Sequence, residues 1–581
     1  MKNNMNKLVL GSLFLCTLLF ASCDNFLTEE PQGVINEELA MDDPEKMVTA
    51  AYASLGNDWY TYPLNLWPYA DITSDDALKG GSGTTDTDYH SLEVWTSLTA
   101  STPGGHMDEL WYRLYCAISR CNRALVSLAD HGDKLDAETR KIREGEVRFL
   151  RAHYFFKLAQ LWNCVPWIGD AVYRVHSEET IRNDVYSHNE LMQKIADEFK
   201  LAYDALPEVQ ADGGRANKVA AAAYLAKCYL TMAWGDGYEA STGVDFINTQ
   251  YMQEVLKYTD VVASSGYDYL EDFGDIFLPE YKNSKESIFA VQHSDYKDDN
   301  TRFGRANWSN MLNGCWQMWS CGWDFHKPSQ NLVNAFKTQN GLPMFDTYNN
   351  SIDYPINGAP TAQKWDPRLF HTVGMPTFPY KYEAEYTMTK DNSRTPNTYG
   401  YYTSLKEVPQ RSKGETFDNP WQAFAMNDYV LRYTDVMLMR AEAMVETGNL
   451  EGARAIVNDV RQRAKNSIDK HIGYAANQCE IALYPASDFD TKDKARTRVQ
   501  WERRLELAME NHRFFDLRRW GIASKTLNKF FEVEKNSVYD GQTYAQYYGD
   551  AHFTSGKNEY FPIPYNQLFY VPGLYKQNVG Y

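Results

Sequence analysis

The chain has 581 residues, a formal charge of −19 at neutral pH and 44% hydrophobic residues. That length and apolar content support a large buried core and exclude a mainly disordered chain, while the acidity argues against nucleic acid as a partner. Aromatic residues reach 14%, with 41 Tyr and 15 Trp, side chains whose broad apolar face and polar tip suit an aromatic-lined binding surface.

At the N-terminus Lys2 and Lys7 flank the start of an apolar run, Leu8 to Phe20, that is too short to span a bilayer as a helix. Ala21-Ser22-Cys23 closes the run with small residues and a thiol, the pattern of a lipoprotein signal peptide. The expectation is that residues 1–22 are removed and Cys23 carries acyl chains; the alternative is an ordinary secretory peptide with an incidental cysteine. Loss of Lys2 and Lys7 would take the charge from −19 to −21. Residues 23–43 are acidic with a Pro-Gln-Gly turn and read as a lipid anchor and tether leading into one domain over 44–581.

The first helix is predicted to open at Asp43-Pro44. Strong helical patterns follow at His106–Asp130, Asp136–Trp162 and His188–Leu206; in the second, Val147, Leu150, Tyr154, Leu158 and Leu161 recur at three- and four-residue intervals. The alanine-rich segment Asn217–Trp234 permits close helix approach and pairs with Tyr251–Ser264. Nearer the C-terminus, Tyr429–Thr447, a Gly448-Asn449 turn and Leu450–Ala464 form a second helical hairpin that resembles a tetratricopeptide repeat. A last helix is predicted from about Ala495 to Trp520, where Glu502 and Glu506 alternate with Arg503, Arg513 and Arg518 as ion pairs between helices. Residues 59–101 and 266–427 lack sustained helical period apart from a short helix near Pro328–Lys337. Loops this long are uncommon unless they serve a function. The helices, mainly 106–265 and 428–530, therefore read as a platform and the two loop-rich regions as what it presents.

Beyond Cys16 and Cys23, seven cysteines remain, an odd number that argues against a disulfide scaffold. Cys116 and Cys121 share a helix without zinc spacing, and Cys315 with Cys321 is the one pair worth testing for a local bridge.

Four stretches carry a family resemblance. They are Cys23 followed by Asp24-Asn25-Phe26-Leu27; Leu431-Arg432-Tyr433-Thr434-Asp435 through Ala443; Glu502-Arg503-Arg504 through Arg513-Phe514-Phe515-Asp516-Leu517-Arg518-Arg519-Trp520-Gly521; and Phe561-Pro562-Ile563-Pro564. In order and spacing this set resembles the SusD/RagB family of Bacteroidetes outer-membrane lipoproteins. The resemblance implies a mostly α fold: about eight helices in four tetratricopeptide-like pairs, with long loop-rich insertions and a few short strands. It also implies a non-enzymatic, surface-exposed lipoprotein that binds a glycan and passes it to a TonB-dependent, SusC-like transporter in the outer membrane, with no cofactor. Peptide- or other nutrient-binding is the alternative within the family, and a surface glycoside hydrolase is the alternative outside it.

The densest chemical signal is Trp308, Trp316, Trp319 and Trp323, four tryptophans within 16 residues. A sugar ring presents a patch of C–H bonds that stacks on the negative face of an indole, and the interleaved Asn307, Ser309, Asn310, Asn313, Gln317, Ser320 and Asp324 supply partners for hydroxyls. Trp316, Trp319 and Trp323 also have helical spacing, so a packing stripe is the competing reading, weakened by Gly314 and Gly322. Trp95 is a second candidate, because the resemblance implies an N-terminal tryptophan that completes an aromatic arc, with Tyr296 extending it. Asp75 and Asp76 are candidate acceptors for hydroxyls and Arg394 a candidate donor, each with solvated loop charge as the alternative. Asp295, Asp298 and Asp299 crowd oxygen ligands but lack the glycine-containing spacing of a calcium loop. No His-Glu-x-x-His helix, Gly-x-Ser-x-Gly elbow or phosphate loop occurs, and Gly80-Gly81-Ser82-Gly83 fails the elbow spacing. An acidic chain always offers carboxylate pairs, so composition does not exclude a glycosidase.

Overall fold

The computed structural model describes residues 40–56, 58–99, 105–235, 238–239, 243–244, 247–294, 307–309, 311–318, 322–351, 362–413, 416–417, 423–536, 538–539, 542–543 and 546–581. Cys23, Tyr296, Trp319, Cys321 and the aspartates 295, 298 and 299 lie outside these residues.

The scaffold is helical. Helix α1 spans Pro44–Tyr52, α2 His106–His131, α3 Ala137–Leu161, α4 His188–Ala205, α5 Lys218–Gly235 and α6 Thr249–Ala263. After the loop-rich region come α7 Tyr433–Thr447, α8 Leu450–Asn466, α9 Lys492–Leu507 and α10 Arg513–Arg519. Each of α2 to α7 packs on the next, and α9 lies against both α7 and α8, so eight helices form one continuous stack. Local chemistry places the ends. Pro44 sits in the first turn of α1 under an Asp43 cap, Ser187 and Glu190 close a capping box on α4, and Asn248 caps α6. Gly448 ends α7 in the left-handed region at φ 94°, and Asn449 at once caps α8, which produces the tight hairpin that the sequence predicts. In α5, Ala220 to Ala223 and Ala226 are fully buried, so neighbouring helices approach it closely.

Two predicted helices are corrected. Asp428–Arg432 is a strand, β5, paired antiparallel with β2 (Ser287–Val291), and α7 starts only at Tyr433. The Ala495–Trp520 helix breaks after Leu507, because Met509 and Asn511 take φ near 62° and 66°. Tertiary contacts fix that break: the Glu510 carboxylate accepts from Lys406 and Arg432, and the Asn511 N–H donates to Asp71.

The two loop-rich regions form one layer. Strand β1 (Ala77–Gly80) pairs antiparallel with β3 (Phe325–Pro328), joining the N-terminal loops to the central ones. Gly81, at φ 70°, lies where a Cβ would strike the Phe325 ring, so only glycine lets these backbones meet. Beneath this layer is a buried ionic core. Glu506 accepts from Arg432, Arg463 and Arg368; Glu286 accepts from Arg432 and Arg463; and Glu502 pairs with Arg368 and Arg461. The predicted ion pairing of Glu502 and Glu506 is present, but with arginines from β5, α8 and the short helix Arg368–Thr372 rather than with Arg503, Arg513 or Arg518. Breaking such a network leaves charges buried and uncompensated. Cys116, Cys121, Cys164, Cys228, Cys315 and Cys479 are free thiols.

Candidate functional site

Residues 312–314 and 324–325 are pinned together by backbone bonds into the neck of a loop. Phe325 N–H donates to Leu312 O (3.1 Å) and Asp324 N–H to Gly314 O (2.8 Å). A Cβ on Gly322 would lie 2.1 Å from Cys315 O, so glycine is what lets the loop close on itself. Trp316 and Trp323 ride on this loop, both half-buried. Cys315 and Met318 alternate inward into a small apolar cluster with Tyr380, Met388, Leu405, Val408 and Phe424, which turns Trp316 and Gln317 outward. The helical packing stripe is therefore absent from the described part of this run, which is turn and coil.

Arg394 reaches this loop from a distant turn. Its guanidinium lies 5.1 Å from the Trp316 ring centroid and 4.7 Å from that of Trp323, placing a cation between two indoles. Asp324 anchors the turn: fully buried, it accepts from the Arg394 backbone N–H (2.9 Å), Ser393 Oγ (3.3 Å) and Lys327 Nζ (2.7 Å). Asn392 Nδ2 donates to Trp316 O at 3.1 Å, and Thr395 Oγ1 to Gly81 O at 2.7 Å. Burial lowers the Arg394 pKa while the Asp324 carboxylate opposes that shift, and a guanidinium retains its charge at neutral pH.

Trp308 lies across β4 (Ala423–Phe424) from this cluster. Ser309 pairs in both directions with Phe424 of β4, at 2.9 Å each way, and Trp308 packs with Trp59 against Met311, Ala423 and Ala425. Trp308 therefore packs on the Ala423 and Ala425 side of the strand, whereas the Trp316 loop packs on the Phe424 side. The Trp316, Arg394 and Trp323 cluster offers half-buried indoles and a guanidinium, groups that stack on rings and donate to oxygen.

Two models match the sequence. One, described as the SusD family, covers residues 285–581, more than half of the chain; the other, described as starch-binding and associating with the outer membrane, covers 26–230. The chain belongs to the SusD family. A SusD-like protein of Bacteroides ovatus is 26% identical over 533 residues, spanning 88% of this chain and 83% of the relative. Among solved structures, a SusD-like protein of Bacteroides fragilis aligns with a TM-score of 0.68 at 22% identity over 95% of this chain and all of that one. Surface glycan-binding protein A of Bacteroides thetaiotaomicron, solved in complex with laminarihexaose, aligns with a TM-score of 0.59 at 20% identity, covering 92% and 98%. The SusD-like scaffold is thus the tetratricopeptide-like helical stack expected from the sequence. No described helix is long and apolar enough to cross a membrane.

In this SusD-family chain the remaining predicted site residues lie elsewhere. Trp95 is 1% exposed and sits in the core, with its ring parallel to Phe561 at 5.6 Å and packed on Phe514 and Phe553. It follows the short helix Thr87–Val94 at φ 66°, a backbone turn that folds the indole inward. Asp75 and Asp76 are buried, not solvated, and are held by arginines of the C-terminal helices: Arg513 Nε lies 2.8 Å from Asp75, and Arg504 lies 3.0 Å from Asp75 and 2.6 Å from Asp76. Burial raises the Asp75 pKa, but Arg504 and Arg513 outweigh it and hold the carboxyl well below its usual range; Asp76, under burial and the Asp75 charge, is pushed up to about 6. These carboxylates fasten the loop layer to the scaffold and are not available as acceptors for a ligand. Asp324, expected as a partner for ligand hydroxyls, is instead buried and taken up by Lys327, Ser393 and the Arg394 backbone, and the partnership of Trp59 with Trp308 was missed. The aromatic stretch beginning at Trp59 was visible, but its pairing with a segment some 250 residues away was not.

Proposed function

We propose that this SusD-family protein is a cell-surface glycan-binding lipoprotein that captures oligo- or polysaccharide on the face built by Trp316, Trp323 and Arg394. The observation that carries the reading is Arg394 held between two half-buried tryptophans on an otherwise acidic chain. An indole face stacks on the C–H patch of a sugar ring, and the fixed guanidinium donates to neighbouring hydroxyls without first losing side-chain entropy. Relatives described as laminarin-binding and as surface glycan-binding support a carbohydrate ligand. Affinity per ring should be weak and rise with chain length, because translational entropy is lost once while each stacked ring contributes. The chain would hold its ligand without turning it over and deliver it to a TonB-dependent, SusC-like transporter. Removal of residues 1–22, acylation of Cys23 and a tether over 23–43 would keep the body on the outer face of the outer membrane.

Affinity electrophoresis against a panel including laminarin and starch tests the site. Arg394→Ala and Trp316→Ala should each weaken retention about tenfold, equivalent to about 1.4 kcal/mol. Retention equal to wild type in both variants overturns the site, and release of shorter products from any bound glycan overturns the assignment as a binder.

A further inference from the structure

A cavity of about 460 Å³ opens inside the helical stack, lined by α3, α5, α7, α9 and α10 and closed by the C-terminal segment around Tyr560. Its volume falls in the range of roughly 300–1,000 Å³ typical of small-molecule sites. None of the residues of the tryptophan face lines it. Its walls carry five cationic side chains, Lys227, Arg503, Arg518, Arg519 and Lys557, against two carboxylates, Asp516 and Glu559, although the chain as a whole is strongly acidic.

Most of that charge is already engaged. Arg503 bonds Asp435 (3.0 Å) and Asp516 (3.1 Å), Arg519 holds Glu442 and Asp516, and Arg518 donates to the carbonyls of Gln160 and Glu559 while stacking 4.5 Å from the Tyr560 centroid. Lys227 differs. Its ammonium makes no hydrogen bond among the described residues; the nearest carboxylate oxygen, on Asp435, is 3.8 Å away, and Arg503 already holds that group's other oxygen. The His512 ring beside it likewise makes no side-chain hydrogen bond among the described residues. A partly exposed ammonium with three donors, no hydrogen-bonded acceptor among the described residues and only a 3.8 Å ion pair to Asp435 is a locus for an anion. Phe156, Phe515 and Tyr560, the last with Arg518 over its ring, also line the cavity, as do the neutral polar residues Asn163 and Thr231.

We propose that this cavity is a second binding site, for a carboxylate-bearing sugar of one or two rings. The carboxylate would bond Lys227 and His512, the sugar ring would lie against Phe515 or Tyr560, and its hydroxyls would face Asn163 and Thr231. Burial lowers the Lys227 pKa and Asp435 and Asp516 offset only part of that shift, so a bound carboxylate would add to the stabilisation of its charge.

Calorimetry on the full mature chain at fixed ionic strength, with D-glucuronate, D-glucose and glucose 6-sulfate as probes, tests the site. Glucuronate should bind at least tenfold more tightly than either other sugar. Lys227→Met should reduce that affinity at least tenfold and leave laminarin retention on gels unchanged, so failure here is separable from failure of the tryptophan face. Saturating laminarin should not displace glucuronate. If Lys227→Met does not fold, His512→Phe, which removes no hydrogen bond within the described structure, should still weaken glucuronate at least threefold. Equal affinity for glucuronate and glucose, preference for the sulfate, displacement by laminarin, or a folded Lys227→Met or His512→Phe with wild-type affinity would each overturn the proposal.

Discussion

Truncating Trp95 separates a core tryptophan from a binding tryptophan. The ring is 1% exposed, lies parallel to Phe561 within 10° at 5.6 Å, and meets Phe514 at 5.1 Å and Phe553 at 5.0 Å. Its Nε1–H has no acceptor among the described residues, so the loss on truncation is one of packing. A Trp→Ala change at such a site leaves a cavity and costs about 3–5 kcal/mol. Trp95→Phe keeps an aromatic ring against Phe561 and removes an unpartnered donor, so it should cost about 1–2 kcal/mol. Trp316 is half-buried, and Trp316→Ala should cost about 1 kcal/mol or less, chiefly its contact with Arg394. Urea denaturation followed by far-UV circular dichroism measures the three variants, and gel retention on glycan measures what the folded fraction still binds. The reasoning requires opposite signatures: Trp95→Ala unstable but binding when folded, Trp316→Ala stable but weak in binding. A Trp95→Ala variant that loses less than about 1 kcal/mol and no longer retains glycan would refute it.

Glu506→Ala should destabilise the fold by about 3–5 kcal/mol, because three buried guanidiniums lose their shared carboxylate; a denaturation midpoint within error of wild type would contradict the ionic core. Burial disfavours charge on His326, but Glu407 and Asp71 on its two ring nitrogens raise its pKa to about 10. With the folded value above the unfolded value of about 6.5, that stabilisation is complete below about pH 6.5 and is lost as pH rises towards about 10. Wild type should therefore lose more stability between pH 6 and pH 9 than His326→Gln does, and equal losses in urea titrations would show that the imidazole is not held charged. Cys23→Ala should abolish labelling by a fatty-acid analogue and release the chain from outer-membrane fractions while leaving glycan retention intact; persistent labelling would disprove acylation at this thiol.

Much of the scaffold was legible in the sequence. Helix periodicity, caps and the Gly448-Asn449 turn are signals carried within one or two turns of chain, and the structure keeps them at α2 to α8. Where expectation and structure part, a long-range contact is responsible. The helix through Met509 breaks because Glu510 and Asn511 are claimed by Lys406, Arg432 and Asp71, residues the local pattern does not see.

The sequence by itself determined the family, the helical stack, and the segment in which tryptophans concentrate. It did not determine which tryptophans face outward. Burial depends on what the tertiary fold places on the other side of a ring: Phe561 covers Trp95, whereas Trp316 and Trp323 meet the Arg394 guanidinium and stay half-buried. The same reason converts Asp75 and Asp76 from candidate ligand acceptors into clasps for Arg504 and Arg513. Residue type and spacing specify what a side chain is able to do, and only the assembled fold decides whether its partner is solvent, a ligand or another part of the chain.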